Sequence, residues 1–192
     1  MKTKTLIIAC FIELFCESGF EGTSMAAVAE KTGIKKASLY AHFTSKKALF
    51  IAACEVILAQ VTSEILLLQG DKTKNPDEKL FDLLHFFCIK NANLSPHTIQ
   101  FINRLFVTEW DNHLELRELE AEYLAITQQH ITSIFDECLA MNYLLPENRD
   151  RIQSAYTFLF HNLIVHDAYS ATDLRNFWEI FWPGHLNNEV RL

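Results

Sequence analysis

Apolar residues recur three and four positions apart along almost the whole chain, glycine and proline fall at the joints, and no stretch alternates in the manner of a strand. The pattern predicts an all-α protein. A first helix starts near Thr3 or Thr5, buries Leu6, Ala9, Cys10, Ile12 and Phe15, and stops at Gly19, where the absence of a Cβ suits a left-handed helix end. Phe20 then folds back as an apolar cap. A long helix follows Ser45, a good N-cap, through Leu49, Ala52, Val56 and Ala59, until polarity rises around Gln69 to Lys74. Asn75-Pro76-Asp77-Glu78 reads as cap, first-turn proline and the closing acid of a capping box, and Ser95-Pro96 repeats the cap-then-proline device. An amphipathic stretch covers about Leu114 to Leu144, Pro146 opens a helix to about Ser170, and Thr172 or Asp173 caps a last one that ends before Pro183-Gly184.

Residues 23–50, TSMAAVAEKTGIKKASLYAHFTSKKALF, carry the densest local signal. Thr23 or Ser24 caps a short helix, Ala29 and Gly33 are small enough for a second helix to cross closely, and Gly33 opens the turn to a positive φ. Val28, Ile34, Leu39 and Phe43 supply a core, with Leu39 and Phe43 stacked at i and i+4. Ala37, Ser38 and Ala41 then point away from Leu39, flanked by Lys35, Lys36, Tyr40 and His42. Few bulky side chains obstruct that face.

The segment GFEGTSMAAVAEKTGIKKASLYAHFTSKKALF resembles the DNA-binding signature of the tetracycline-repressor (TetR) family, over about Leu6 to Phe50. The resemblance implies a three-helix helix-turn-helix head over residues 1–47 and a helical ligand-binding and dimerisation domain over 48–192. It also implies that Lys36, Ser38, Tyr40 and His42 meet DNA while Thr23, Ser24 and Lys46 hold phosphates. Hydroxyls, lysines and helix N-termini suit phosphate oxygens, and groups projecting into the groove read base edges. Lys35 or Lys36 is the expected donor to guanine and Ala37 and Ala41 the expected contacts for thymine methyls, but no Arg, Asn or Gln in the recognition helix offers bidentate readout. The expected partner is a double-stranded, pseudo-palindromic operator, bound by a homodimer that pairs through about Glu147–Ser170 and Thr172–Trp182. Tyr156, Leu159, Phe160, Leu163, Phe177, Trp178 and Phe181 give those helices more aromatic surface than one core stripe needs.

The net charge of −7 changes the picture once it is divided. Residues 1–60 carry +2 and the rest −9, a mildly basic head on an acidic body that would repel DNA and confine contact to the head. Cys10, Cys16, Cys54, Cys88 and Cys138 lie singly in apolar helical stretches, and read as reduced packing residues. No uninterrupted apolar run reaches the roughly 18 residues that span a bilayer, and Glu13 and Glu17 break the N-terminal apolar stretch. The expectation is a soluble, cytoplasmic protein without cofactor or metal.

Leu84, Phe87, Cys88, Phe101, Leu105, Phe106, Trp110, Tyr123, Ile126 and Phe158 are the lining candidates for a ligand pocket among the middle helices, with His85, Asn103, His130 and His161 as polar anchors. Such a lining suits a small, mostly apolar effector. The alternative is a helical metal-binding protein or enzyme built on His85 and Cys88, three apart on one helix. No HExxH, GxSxG, P-loop or GxGxxG pattern accompanies that pair, so the chain is read as a non-enzyme.

Overall fold

A computed structural model describes residues 2–88, 94–105, 116–164 and 170–182, the side chains of 2, 87, 88 and 161–164 excepted. Among the described residues there are nine α-helices and no strand: α1 Lys2–Gly22, α2 Met25–Thr32, α3 Lys36–His42, α4 Lys46–Gly70, α5 Pro76–Cys88, α6 Pro96–Arg104, α7 Arg117–Ala140, α8 Arg149–Ile164 and α9 Ala171–Phe181. A 3₁₀ turn, Pro146–Asn148, precedes α8. The all-α expectation holds. The chain forms two compact units, one of residues 1–61 and 94–120, the other of 62–93 and 121–192.

The first unit is larger than the 1–47 head read from the sequence because α6 packs on α1. Its centre is a ring cluster in which Phe15 lies 4.5 Å from Phe101 and 5.2 Å from Phe50, with Phe20 5.0 Å from Phe50. Gly19 breaks α1 at φ 71°, which leaves the carbonyls of the preceding turn without intrahelical donors. Side chains of α6 supply them. Arg104 donates to the carbonyls of Phe15 and Cys16 at 3.2 and 2.6 Å, and Gln100 donates to Cys16 at 3.2 Å; a cation at a helix C-terminus is favourable as well. The buried face of α1 is Ile7, Ile8, Cys10, Phe11 and Phe15, so the sequence expectation for Leu6 and Ala9 is corrected: both are exposed. The face is rotated because Phe11 and Phe15 enter the ring cluster together.

The second unit packs α5 against α8 and α9. Tyr156, fully buried, donates to the Leu80 carbonyl at 2.7 Å, and the rings of Phe135, Tyr156, Trp178 and Trp182 pack mostly edge to face around it. Lys79, itself buried, pairs with Glu137 at 2.7 Å. Asn142 ends α7 in the left-handed conformation, φ 59°, with Tyr143 N–H returning to the Cys138 carbonyl. Ser170, rather than Thr172 or Asp173, caps α9, and Asp173 closes the capping box.

Helix α4 is long and apolar enough to cross a membrane by length and composition. Counting a window with one or two charges, rather than an uninterrupted run, therefore corrects the sequence expectation. In the described structure Leu49, Phe50, Ala53, Ile57, Val61 and Ile65 of this helix are core residues.

Candidate nucleic-acid interface

The spacing of residues 23–50 builds two short helices around a tight turn. Ser24 caps α2, its hydroxyl oxygen accepting from Ala27 N–H at 3.1 Å. Gly33 ends α2 at φ 73°, with Gly33 N–H bonded to the Glu30 carbonyl and Ile34 N–H to that of Ala29, the two bonds of a Schellman end. Lys35 then turns the chain, and its carbonyl accepts from Ser38 and Leu39.

Leu39 of α3 and Phe43, the residue that ends it, are buried in the first unit. That burial turns the opposite side outward. Lys35, Lys36, Ala37, Ser38, Tyr40, Ala41 and His42 are all exposed, with Ala37 and Ala41 pointing most directly away from Leu39 and the lysines and His42 at the flanks. None of the seven is an acid. Two of their side chains are methyl groups, which lets the helix backbone approach a groove closely, and two are ammonium groups suited to phosphates or guanine. Lys47, at the start of α4, is exposed as well and was not singled out from the sequence; its signal was position, a lysine in the first turn of a helix.

Two expected phosphate ligands are engaged elsewhere. Thr23 is 2% exposed and its hydroxyl donates to the Gly19 carbonyl at 2.8 Å, closing the kink of α1. Lys46 donates from Nζ to the Phe20 carbonyl at 2.9 Å and sits 4.3 Å from the Phe20 ring centroid. Both contacts depend on the break of α1 at Gly19. Ser24 is exposed and, with its oxygen accepting from Ala27, retains a hydroxyl proton to donate.

The expected pocket residues are divided between the two units. Phe101 and Leu105 are fully buried in the first unit, where Phe101 belongs to the ring cluster, and Asn103 is half-buried there. In the second unit Leu84 and Tyr123 are buried, and Ile126, His85 and His130 are half-buried. His130 is hydrogen-bonded through Nδ1 to Gln69 Oε1, while Gln69 Nε2 donates to Ser133 at 2.8 Å; desolvation lowers the His130 pKa and favours the neutral ring. Phe158 is 68% exposed. Phe106 and Trp110 lie outside the described residues, as do the side chains of Phe87, Cys88 and His161. Among the described residues no three His, Cys, Asp or Glu side chains gather as metal ligands, and His85 rests 5.9 Å from the Phe81 ring.

The geometry of α2 and α3 defines a helix-turn-helix unit. Residues 7–53 match the family model of the bacterial regulatory proteins of the tetR family. It is similar to the biofilm operon icaADBC HTH-type negative transcriptional regulator IcaR of Staphylococcus aureus, 34% identical over 87 residues, which are 45% of each chain. The chain spans less than half the length of the curated relatives it matches first. In fold it is similar over 97% of its length to a TetR transcriptional regulator from Chloroflexus aurantiacus, 98% of which is covered, with a TM-score of 0.76 at 20% identity. It is likewise similar to the transcriptional regulator FadR of Bacillus subtilis, solved in complex with stearoyl-CoA: 94% and 98% of the two chains, TM-score 0.69, 16% identity.

Proposed function

We propose that this chain is a cytoplasmic, non-enzymatic transcriptional repressor that binds a pseudo-palindromic operator as a homodimer and is controlled by a small, mostly apolar effector. The observation that carries the reading is the exposed surface of α3, where Ala37, Ser38, Tyr40 and Ala41 point away from the buried Leu39, Lys35, Lys36 and His42 flank them, and none of the seven is an acid. Lys36, Ser38, Tyr40 and His42 enter the groove with Lys35, Ala37 and Ala41 beside them, and Ser24 and Lys47 take phosphates. Residues 1–47 act as the DNA-binding head and 48–192 as the effector and dimer domain. The negative regulator IcaR, related over the N-terminal part, supports repression.

Pairing through α8 and α9 is supported by Phe158 and Ile180, 68% and 81% exposed. Tyr156, Phe160 and Trp178, expected at that interface, are buried inside their own unit, whereas Leu159, Phe177 and Phe181 are half-buried beside these two. Two heads about 34 Å apart, or a multiple of it, engage successive turns of one DNA face. A change in that spacing with a coupling of about 1–3 kcal/mol suffices for control by an effector. An apolar effector is supported by the buried Leu84 and Tyr123 and by the stearoyl-CoA that the similarly folded FadR holds.

The test is selection of bound duplexes from random DNA by the full-length protein. Enrichment of an inverted repeat is the expected result, and recovery of no common sequence by a folded protein contradicts the reading.

A further inference from the structure

Charge is segregated within the N-terminal part of the first unit. Residues 1–12 and 31–54 hold all seven lysines of the first sixty residues and no acid, while Glu13, Glu17, Glu21 and Glu30 lie between them. The fold brings the two acid-free stretches together. Lys4, in the first turn of α1, places Nζ 5.4 Å from the ring centroid of Phe43, the buried residue that ends α3. His42 and Thr44, the chain neighbours of that ring, are both exposed, so the ammonium stands at an accessible C-terminal end of the recognition helix.

Lys4 differs from Lys46, the other lysine of this unit that meets a ring. Lys46 is tied to the Phe20 carbonyl, whereas Lys4 is exposed and has neither a carbonyl nor an acid as partner among the described residues. Its ammonium keeps N–H donors for an outside acceptor. Along α1 the first acid is Glu13, nine residues on, which is about 14 Å at the helical rise and beyond the screening length of about 8 Å at physiological salt. The last carbonyls of α3 lack intrahelical donors and carry partial negative charge that repels a phosphate. A cation at that end offsets the repulsion.

We infer that Lys4 is a DNA-contact residue, its ammonium holding a backbone phosphate at the C-terminal end of the recognition helix. The inference rests on the DNA-binding reading above and adds to it a contact made from α1. A phosphate carries no sequence information, so the contact strengthens binding to every duplex alike.

The experiment measures binding of the full-length wild type, Lys4→Met, Lys4→Gln and Lys4→Arg to a duplex recovered by selection and to an unrelated duplex, by fluorescence anisotropy from about 50 to 200 mM salt. Both neutral variants lower the slope of log affinity against log salt by about 1 and weaken the two duplexes by the same factor. Lys4→Arg keeps the wild-type slope. Ethylation of the phosphate that Lys4 holds weakens the wild type and leaves Lys4→Met binding as it was. A folded neutral variant with the wild-type slope, or a loss confined to the selected duplex, overturns the inference and leaves the DNA-binding reading standing. A wild-type protein that binds neither duplex overturns that reading and this inference with it.

Discussion

Replacing Lys46 by Met separates two roles for one lysine. The TetR resemblance makes it a phosphate ligand, whereas the structure ties it to Phe20 through a 2.9 Å hydrogen bond and a ring contact at 4.3 Å. Methionine keeps an unbranched apolar stem and removes both interactions. A charge-assisted hydrogen bond contributes about 1.5–3 kcal/mol when shielded, and a half-buried one about 1; a cation over a ring at a wet site adds about 0.5–1. The expected cost is about 1.5 kcal/mol, or roughly 3–6 °C in the unfolding midpoint of a chain this size. Lys36→Met serves as the counterpart, since Lys36 is exposed on the α3 face. It should leave the midpoint unchanged and reduce the slope of log affinity against log salt by about 1, the signature of one lost phosphate contact. Thermal unfolding and fluorescence anisotropy on a duplex, from about 50 to 200 mM salt, read both quantities. A Lys46→Met protein that unfolds at the wild-type temperature and loses the same salt slope as Lys36→Met refutes the stapling role.

Five further substitutions probe the head and the thiols. Tyr40→Ala should cut operator affinity about tenfold with stability within about 0.5 kcal/mol, while Leu39→Ala should lose about 2–5 kcal/mol of stability and DNA binding with it; equal unfolding midpoints would contradict the assigned faces. Gly33→Ala should cost about 1–2 kcal/mol from the positive φ alone, because a Cβ there meets nothing within 4 Å, and an unchanged unfolding free energy would contradict the strain. Burial raises the Cys16 and Cys138 thiols from 9.0 to about 11 and about 12, so each favours the folded state fully below pH 9 and loses that contribution as pH rises toward the folded value. Cys16→Ala and Cys138→Ala should therefore flatten the alkaline decline in stability, and native thiols should react slowly with a disulfide reagent at pH 8.

Where cause and effect lie within a few residues, the fold was legible beforehand. Ser24, Gly33, Ser45, Asn75 and Ser95 are at the ends of their helices as their chemistry requires, and the i, i+4 pair Leu39 and Phe43 set the outward face of α3. Ser170 was legible too, since Ser-x-x-Asp is a capping box, but two later oxygen side chains competed with it. Long-range pairings left no such trace. Arg104 meets carbonyls 88 and 89 residues away, and Lys46 meets one 26 residues away. Phe158 and Tyr156 look alike as aromatic residues on α8, yet one is exposed and one buried. Helical spacing identifies apolar positions without saying which of them the same unit covers.

The account turns on which surface faces DNA, and site-specific photo-crosslinking tests that most directly. A photoreactive phenylalanine analogue placed at position 40, and in a separate protein at position 158, is irradiated with operator duplex bound. Cross-links from position 40 and none from 158 are the predicted result; cross-links from 158 alone, or from neither in a protein that retains operator affinity, would contradict it.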